Sequence, residues 1–98
     1  MKVLLACVGG YSTSILMKKM NKYCAAQGED TTVDAMGKNL IEKEWQNYDC
    51  ILLGPQVSYS LEEIKSIVKI PVAVIPSMDY GMGNAENVMK LVHEITGK

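Results

Sequence analysis

The stretch Val3-Leu4-Leu5-Ala6-Cys7-Val8-Gly9-Gly10-Tyr11-Ser12-Thr13-Ser14 decides how the rest of the chain is read. Val3 to Ala6 form an apolar run of the kind found in a strand covered on both faces of a parallel sheet. The glycine pair predicts a tight loop, and the helical pattern starting near Ile15 predicts a helix that Ser12, Thr13 or Ser14 caps. Strand, glycine loop and helix start, in that order, favour anions. Backbone N–H groups in such a loop form a concave nest, and those of the first helical turn lack intrahelical partners. Cys7 stands at the carboxyl end of the strand, where the same donors and the helix dipole would stabilise its thiolate. These residues point to a cysteine that attacks or carries a phosphoryl group.

Outward from this stretch the pattern repeats. Leu16, Met20, Tyr23 and Cys24 make the stripe of the first helix, and Gly28 is placed to end it in a left-handed cap. Thr31 to Met36 reads as a second strand. A short helix capped by Asn39 follows, with Ile41, Trp45 and Tyr48 on one face. Ile51-Leu52-Leu53, with Cys50, is a third strand that Gly54-Pro55-Gln56 stops, and Leu61, Ile64 and Val68 give the next helix its core stripe. Val72 to Ile75 is the fourth strand, Pro76 to Gly83 a loop, and the last helix buries Val88, Leu91, Val92 and Ile95. Alternating strands and helices, with connections long enough for crossovers, predict a small doubly wound, flavodoxin-like α/β fold: four parallel strands with helices on both faces. Such sheets bind ligands at the carboxyl ends of their strands, near the switch in strand order. The loops at Cys7, at Gly54 and at Pro76–Gly83 should therefore share one rim.

Ninety-eight residues suffice for a single domain, and 48% apolar with 21% charged residues is ordinary for a soluble globular chain. A net charge of −1 with dispersed lysines provides neither a nucleic-acid patch nor a basic membrane anchor. The N-terminal apolar run is too short for a signal-peptide core or a membrane span. Three cysteines without a CxxC pair argue against a disulfide framework or zinc site and fit a reducing cytosol. All ten cationic residues are lysine. Chemistry that needs a bidentate guanidinium clamp on phosphate is thus beyond this chain alone.

No GxxxxGK[ST] or GxGxxG motif is present. Cys24 and Cys50 read as buried thiols and His93 as a packing or surface residue. A cysteine loop on a small α/β fold also suggests low-molecular-weight tyrosine phosphatases, whose signature is Cys, five residues, Arg, then Ser or Thr. Thr13 occupies the arginine position here. Asp79-Tyr80 resembles that family's general-acid loop only superficially, and without the arginine such activity is disfavoured.

The residues Cys7-Val8-Gly9-Gly10-Tyr11-Ser12-Thr13-Ser14, then Leu53-Gly54-Pro55-Gln56 with Tyr59, then Tyr80-Gly81, resemble the enzyme IIB component of the bacterial phosphotransferase system, lactose/cellobiose (chitobiose) family. The likeness spans essentially the whole chain, as one IIB domain over residues 1–98. Gly9 departs mildly from the family, which often has alanine there. The resemblance implies a relay. A cytosolic IIA protein would give its phosphohistidine phosphoryl group to Cys7, and Cys7 would pass it to a β-glucoside or disaccharide held by the membrane component IIC. Residues 8 to 14 (Val8, Gly9, Gly10, Tyr11, Ser12, Thr13 and Ser14) would hold the phosphate, with Gly54, Pro55, Gln56 and Tyr80 in neighbouring loops of unassigned role. A transcriptional-regulator module of IIB type is the non-enzyme alternative.

A carrier must release phosphate again, and backbone donors, hydroxyls and a helix dipole hold a dianion more weakly than an arginine clamp does. Met36, Met78, Met82, Tyr11, Tyr59 and Tyr80 are candidates for apolar contact with two partners in turn. The expected protein is a cytoplasmic monomer that reaches the membrane through IIC, with no metal or organic cofactor of its own.

Overall fold

The computed structural model describes the backbone of residues 1–7 and 11–98 and the side chains of 1–6 and 13–98. Four strands form one sheet: β1 (Lys2–Cys7), β2 (Thr32–Gly37), β3 (Cys50–Leu53) and β4 (Val72–Val74). All pairings are parallel and the order is β2-β1-β3-β4. The helices are α1 (Tyr11–Ala26), α2 (Ile41–Glu44), α3 (Leu61–Ile67), α4 (Ser77–Met82) and α5 (Ala85–Thr96), with 3₁₀ turns around α2 and before α3. From β1 the chain moves one way to β2, then crosses back over β1 to β3, so the switch in strand order falls at β1.

The alternation of side chains along β1 divides the core. Val3 and Leu5 face one layer with Leu16, Met20 and Cys24 of α1 and Val88, Met89 and Val92 of α5. Leu4 and Ala6 face the other, with Ile41, Val57, Ile64 and Val68. Both faces are thus covered, which is why the strands read as unbroken apolar runs. The predicted doubly wound fold is the one observed.

β2 forms one outer edge of the sheet, and α1 covers part of it. The Asn21 side-chain amide donates to the Val33 carbonyl and accepts from the Val33 N–H, both at 2.9 Å, so it stands in for a missing neighbouring strand. At the amino-terminal rim, Asp49 accepts from the Lys2 N–H at 2.7 Å and from Lys98 Nζ at 3.3 Å. These donors hold its carboxyl below the ordinary value, the Lys2 backbone bond foremost and against an opposing push from burial.

Several local expectations change. α1 already runs at Tyr11, so Ser12, Thr13 and Ser14 lie inside its first turn instead of capping a helix that begins near Ile15. Asn39 sits within a 3₁₀ turn, Lys38–Leu40, and supplies no capping bond. The helix after β2 breaks into three short pieces, although Ile41, Trp45 and Tyr48 still pack on one core layer as expected. The stretch Pro76–Gly83, read as a loop, contains α4. Pro and two glycines masked this helix. Gly83, at φ +63°, is its left-handed cap, and its N–H bonds back into the last turn.

Candidate functional site

Three connections leave the carboxyl edge of the sheet at β1, β3 and β4, and the structure brings their residues together. β1 ends at Cys7, whose backbone lies in register with Gly37 of β2. The loop residues Val8, Gly9 and Gly10, and the side chains of Cys7, Tyr11 and Ser12, lie outside the described residues. What surrounds them is described. α1 begins immediately after the loop, so the N–H groups that open it, up to Thr13, lack intrahelical acceptors and belong to this edge.

Thr13, in that first turn, is 1% exposed, and its Oγ1 lies 3.1 Å from the Tyr80 hydroxyl of α4. Tyr80 in turn packs its ring over Gly54. A Cβ on Gly54 would lie 3.3 Å from Tyr80 Cε1 and 2.8 Å from Gln56 Oε1. Gly54 has ordinary extended backbone angles, so close approach of the Tyr80 ring and Gln56, and not backbone freedom, favours the glycine. The Gly54 N–H donates to the Ala6 carbonyl at 3.1 Å, tying the β3 loop to the residue before Cys7. Pro55 then starts the 3₁₀ segment Pro55–Ser60, where the absent proline N–H costs nothing. Thr13, Gly54, Gln56 and Tyr80 therefore form one packed cluster beside Cys7, at the switch in strand order where such sheets take ligands.

The segments that carry this cluster also expose large apolar side chains. Tyr59, Met78 and Met82 are 72%, 76% and 69% exposed, as the rim reading expects. Met36 instead packs partly against the core, and Tyr80 is half-buried. Ile15 and Leu40 are also exposed and were not singled out in the sequence, since each sits beside the buried stripe of its own segment. Asp79 accepts from Asn87 Nδ2 at 3.1 Å, a bond between α4 and α5.

The other two thiols are fully buried. Burial, and then Glu29, push Cys24 up to about 11; burial foremost pushes Cys50 up to about 12. Neither is a nucleophile at neutral pH. His93 lies 3.1 Å from Glu29 at the opposite rim, a packing role as expected. Among the described residues no helix is long and apolar enough to cross a membrane, and no group of His, Cys, Asp and Glu could hold a metal.

The profile of the family described as "PTS system, Lactose/Cellobiose specific IIB subunit" matches residues 2–91. The chain belongs to this family. It is 36% identical over 88 residues to the oligo-beta-mannoside-specific EIIB component of Bacillus subtilis, covering 87% of this chain and 85% of that one. It is 35% identical over 95 residues to the cellobiose-specific EIIB component of Lactococcus lactis, covering 89% and 88%. The solution structure of a cellobiose-specific IIB protein from Borrelia burgdorferi superposes with a TM-score of 0.82 at 30% identity, over 99% of this chain and 92% of that one. The lactose-specific IIB domain of Streptococcus pneumoniae gives 0.87 at 21% identity, over 97% and 96%, and so shares the fold. The protein is thus a IIB-type component of sugar phosphotransfer, and IIB components work within a system that also has IIA and IIC parts.

Proposed function

We propose that Cys7 is the phosphoryl carrier of this IIB domain. Its thiolate attacks the phosphorus of a phosphohistidine on a cytosolic IIA partner. The P–N bond breaks, its electron pair returns to the imidazole, and an S–P bond forms. A hydroxyl of a β-glucoside or disaccharide, cellobiose- or chitobiose-like and held by membrane IIC, then attacks the same phosphorus. The S–P bond breaks, Cys7 leaves as thiolate, and the sugar hydroxyl loses its proton. The 98 residues act as one domain in this relay, in the cytoplasm and at the membrane through IIC.

The observation that carries this reading is the cluster Thr13–Tyr80–Gly54 packed beside the end of β1 in a chain of this family without arginine. It fixes the walls of the rim through neutral groups. The phosphate would then be held by the loop residues 8 to 10, by the first-turn donors of Tyr11 to Ser14 and by hydroxyls, a cradle from which it can be released. The absence of arginine argues against a hydrolytic role, since a phosphatase of this type stabilises the transferring group with one. The exposed Met78, Met82 and Tyr59 suit a surface used by two partners in turn.

The test supplies phosphoenolpyruvate, the general phosphotransfer proteins and a IIA protein, and locates phosphate by mass spectrometry. Label on Cys7, lost in Cys7→Ser, supports the relay. Hydrolysis of an aryl phosphate that depends on Cys7 would replace it with the phosphatase reading.

A further inference from the structure

The strand register places one lysine next to the end of the strand that carries Cys7. Lys38 follows β2 directly, and Gly37 before it is paired with Cys7. The side chain of Lys38 does not turn outward from this edge. Its Nζ donates to Ser60 Oγ at 3.0 Å and lies 5.0 Å from the centre of the Tyr59 ring. Tyr59 and Ser60 belong to the segment that follows β3. β1 lies between β2 and β3 in the sheet, so this contact joins the segments that follow the two strands flanking the one that ends at Cys7. Gly37 is the register partner of Cys7, so Lys38 leaves the sheet one residue beyond the end of that pairing.

Its partners there are neutral. Ser60 is 1% exposed, and the Tyr59 ring attracts the cation through its π face. Glu42 and Glu63 line a cleft of about 260 Å³ together with Lys38, yet among the described residues no carboxylate comes within salt-bridge distance of Lys38. The ammonium is therefore ordered by neutral partners and makes no direct ion pair. In a protein with no arginine, a fixed cation near an anion site acts on the anion through its field, which Glu42 and Glu63 on the same cleft diminish without pairing with it.

We propose that Lys38 is a positioning residue for phosphoryl acceptance: its field draws the anionic phosphoryl group of the donor to Cys7 and stabilises the dianion formed there. This rests on the relay reading above. Contact through the field, and not a bidentate clamp, leaves the group free to depart.

The experiment measures the second-order rate at which phospho-IIA labels this protein, at low salt and at about 0.5 M salt, for wild type, K38Q, K38R and K69Q. Lys69 is exposed and precedes β4, at the opposite rim, so K69Q makes the same change in net charge away from Cys7. K38Q should slow labelling about fivefold at low salt and less than about twofold at high salt, because mobile ions screen the field. K38R should keep both the rate and its salt dependence, and K69Q should match wild type. Equal rates for K38Q and wild type, or an equal loss in K38Q and K69Q, overturn the proposal while leaving the relay intact. A loss in K38Q that salt does not diminish also overturns it, and assigns Lys38 a purely structural role. Failure to label wild type refutes the relay and this proposal with it. Thermal melts accompany each variant, and K38M, which keeps the apolar stem against Tyr59, replaces K38Q should K38Q not fold.

Discussion

Removing a single oxygen from Tyr80 tests whether the cluster beside Cys7 is a real unit. Tyr80→Phe keeps the ring over Gly54 and deletes the hydroxyl 3.1 Å from Thr13 Oγ1. Thr13 is 1% exposed, so water does not replace the lost partner freely. A hydrogen bond of this neutral kind contributes about 0.5–1.5 kcal/mol, and leaving one partner buried places the cost toward the upper end. With an unfolding entropy near 2.1 cal/mol/K per residue, 1 kcal/mol corresponds to roughly 5 °C in a chain of this length, so Tm should fall by about 3–7 °C. The decisive form is a double-mutant cycle with Thr13→Val, read by urea unfolding. Once either partner is gone, removal of the other should cost less, giving a coupling of about 0.5–1.5 kcal/mol. Additive losses, to within about 0.3 kcal/mol, would show that the two hydroxyls do not interact and that α4 is not tied to the start of α1 through them.

Other consequences follow from the same geometry. Gly81→Ala should stabilise the protein by about 0.5–1 kcal/mol in thermal melts, because Gly81 lies inside α4, its φ is not positive, and a Cβ there meets nothing within 4 Å. Asn21→Ala should cost about 1–3 kcal/mol in urea, since it removes both bonds that cover the Val33 backbone on the β2 edge; amide exchange at Val33 should quicken in step. The carboxyl of Asp49 is held below its ordinary value in the folded state. Its contribution is therefore full above the unfolded carboxyl pKa and lost as pH falls through the lower folded one. Asp49→Asn should destabilise at pH 7 by about 0.5–1 kcal/mol, a figure discounted because the group is partly exposed, and the difference from wild type should vanish in strongly acidic solution.

The fold was legible because its signals are redundant. Four apolar runs with helical stripes between them admit few arrangements, and Leu4 and Leu5 read alike because both faces of β1 are covered. Cys7, Gly54 and Tyr80 could be assigned to one rim from topology alone. Their contacts could not. That Gly54 is favoured by the closeness of the Tyr80 ring, and not by a turn, depends on a distance between residues far apart in sequence. α4 escaped detection because Gly81 and Gly83 carry breaker signals, one tolerated on an open surface and the other used as the cap. Lys38 looked like any solvated lysine. Only the contact of its side chain with Ser60 and Tyr59, in the segment after β3, gives it a role, and no local pattern encodes a contact between segments so far apart.

The central claim is that Cys7 carries the phosphoryl group, and the most direct measurement is the mass of the intact protein and its peptides after incubation with phosphoenolpyruvate, the general phosphotransfer proteins and a IIA protein. The account predicts one added phosphate, on the peptide containing Cys7, absent from Cys7→Ser and transferred to sugar when membranes containing IIC are added. Phosphate on any other residue, or undiminished labelling of Cys7→Ser, would contradict it.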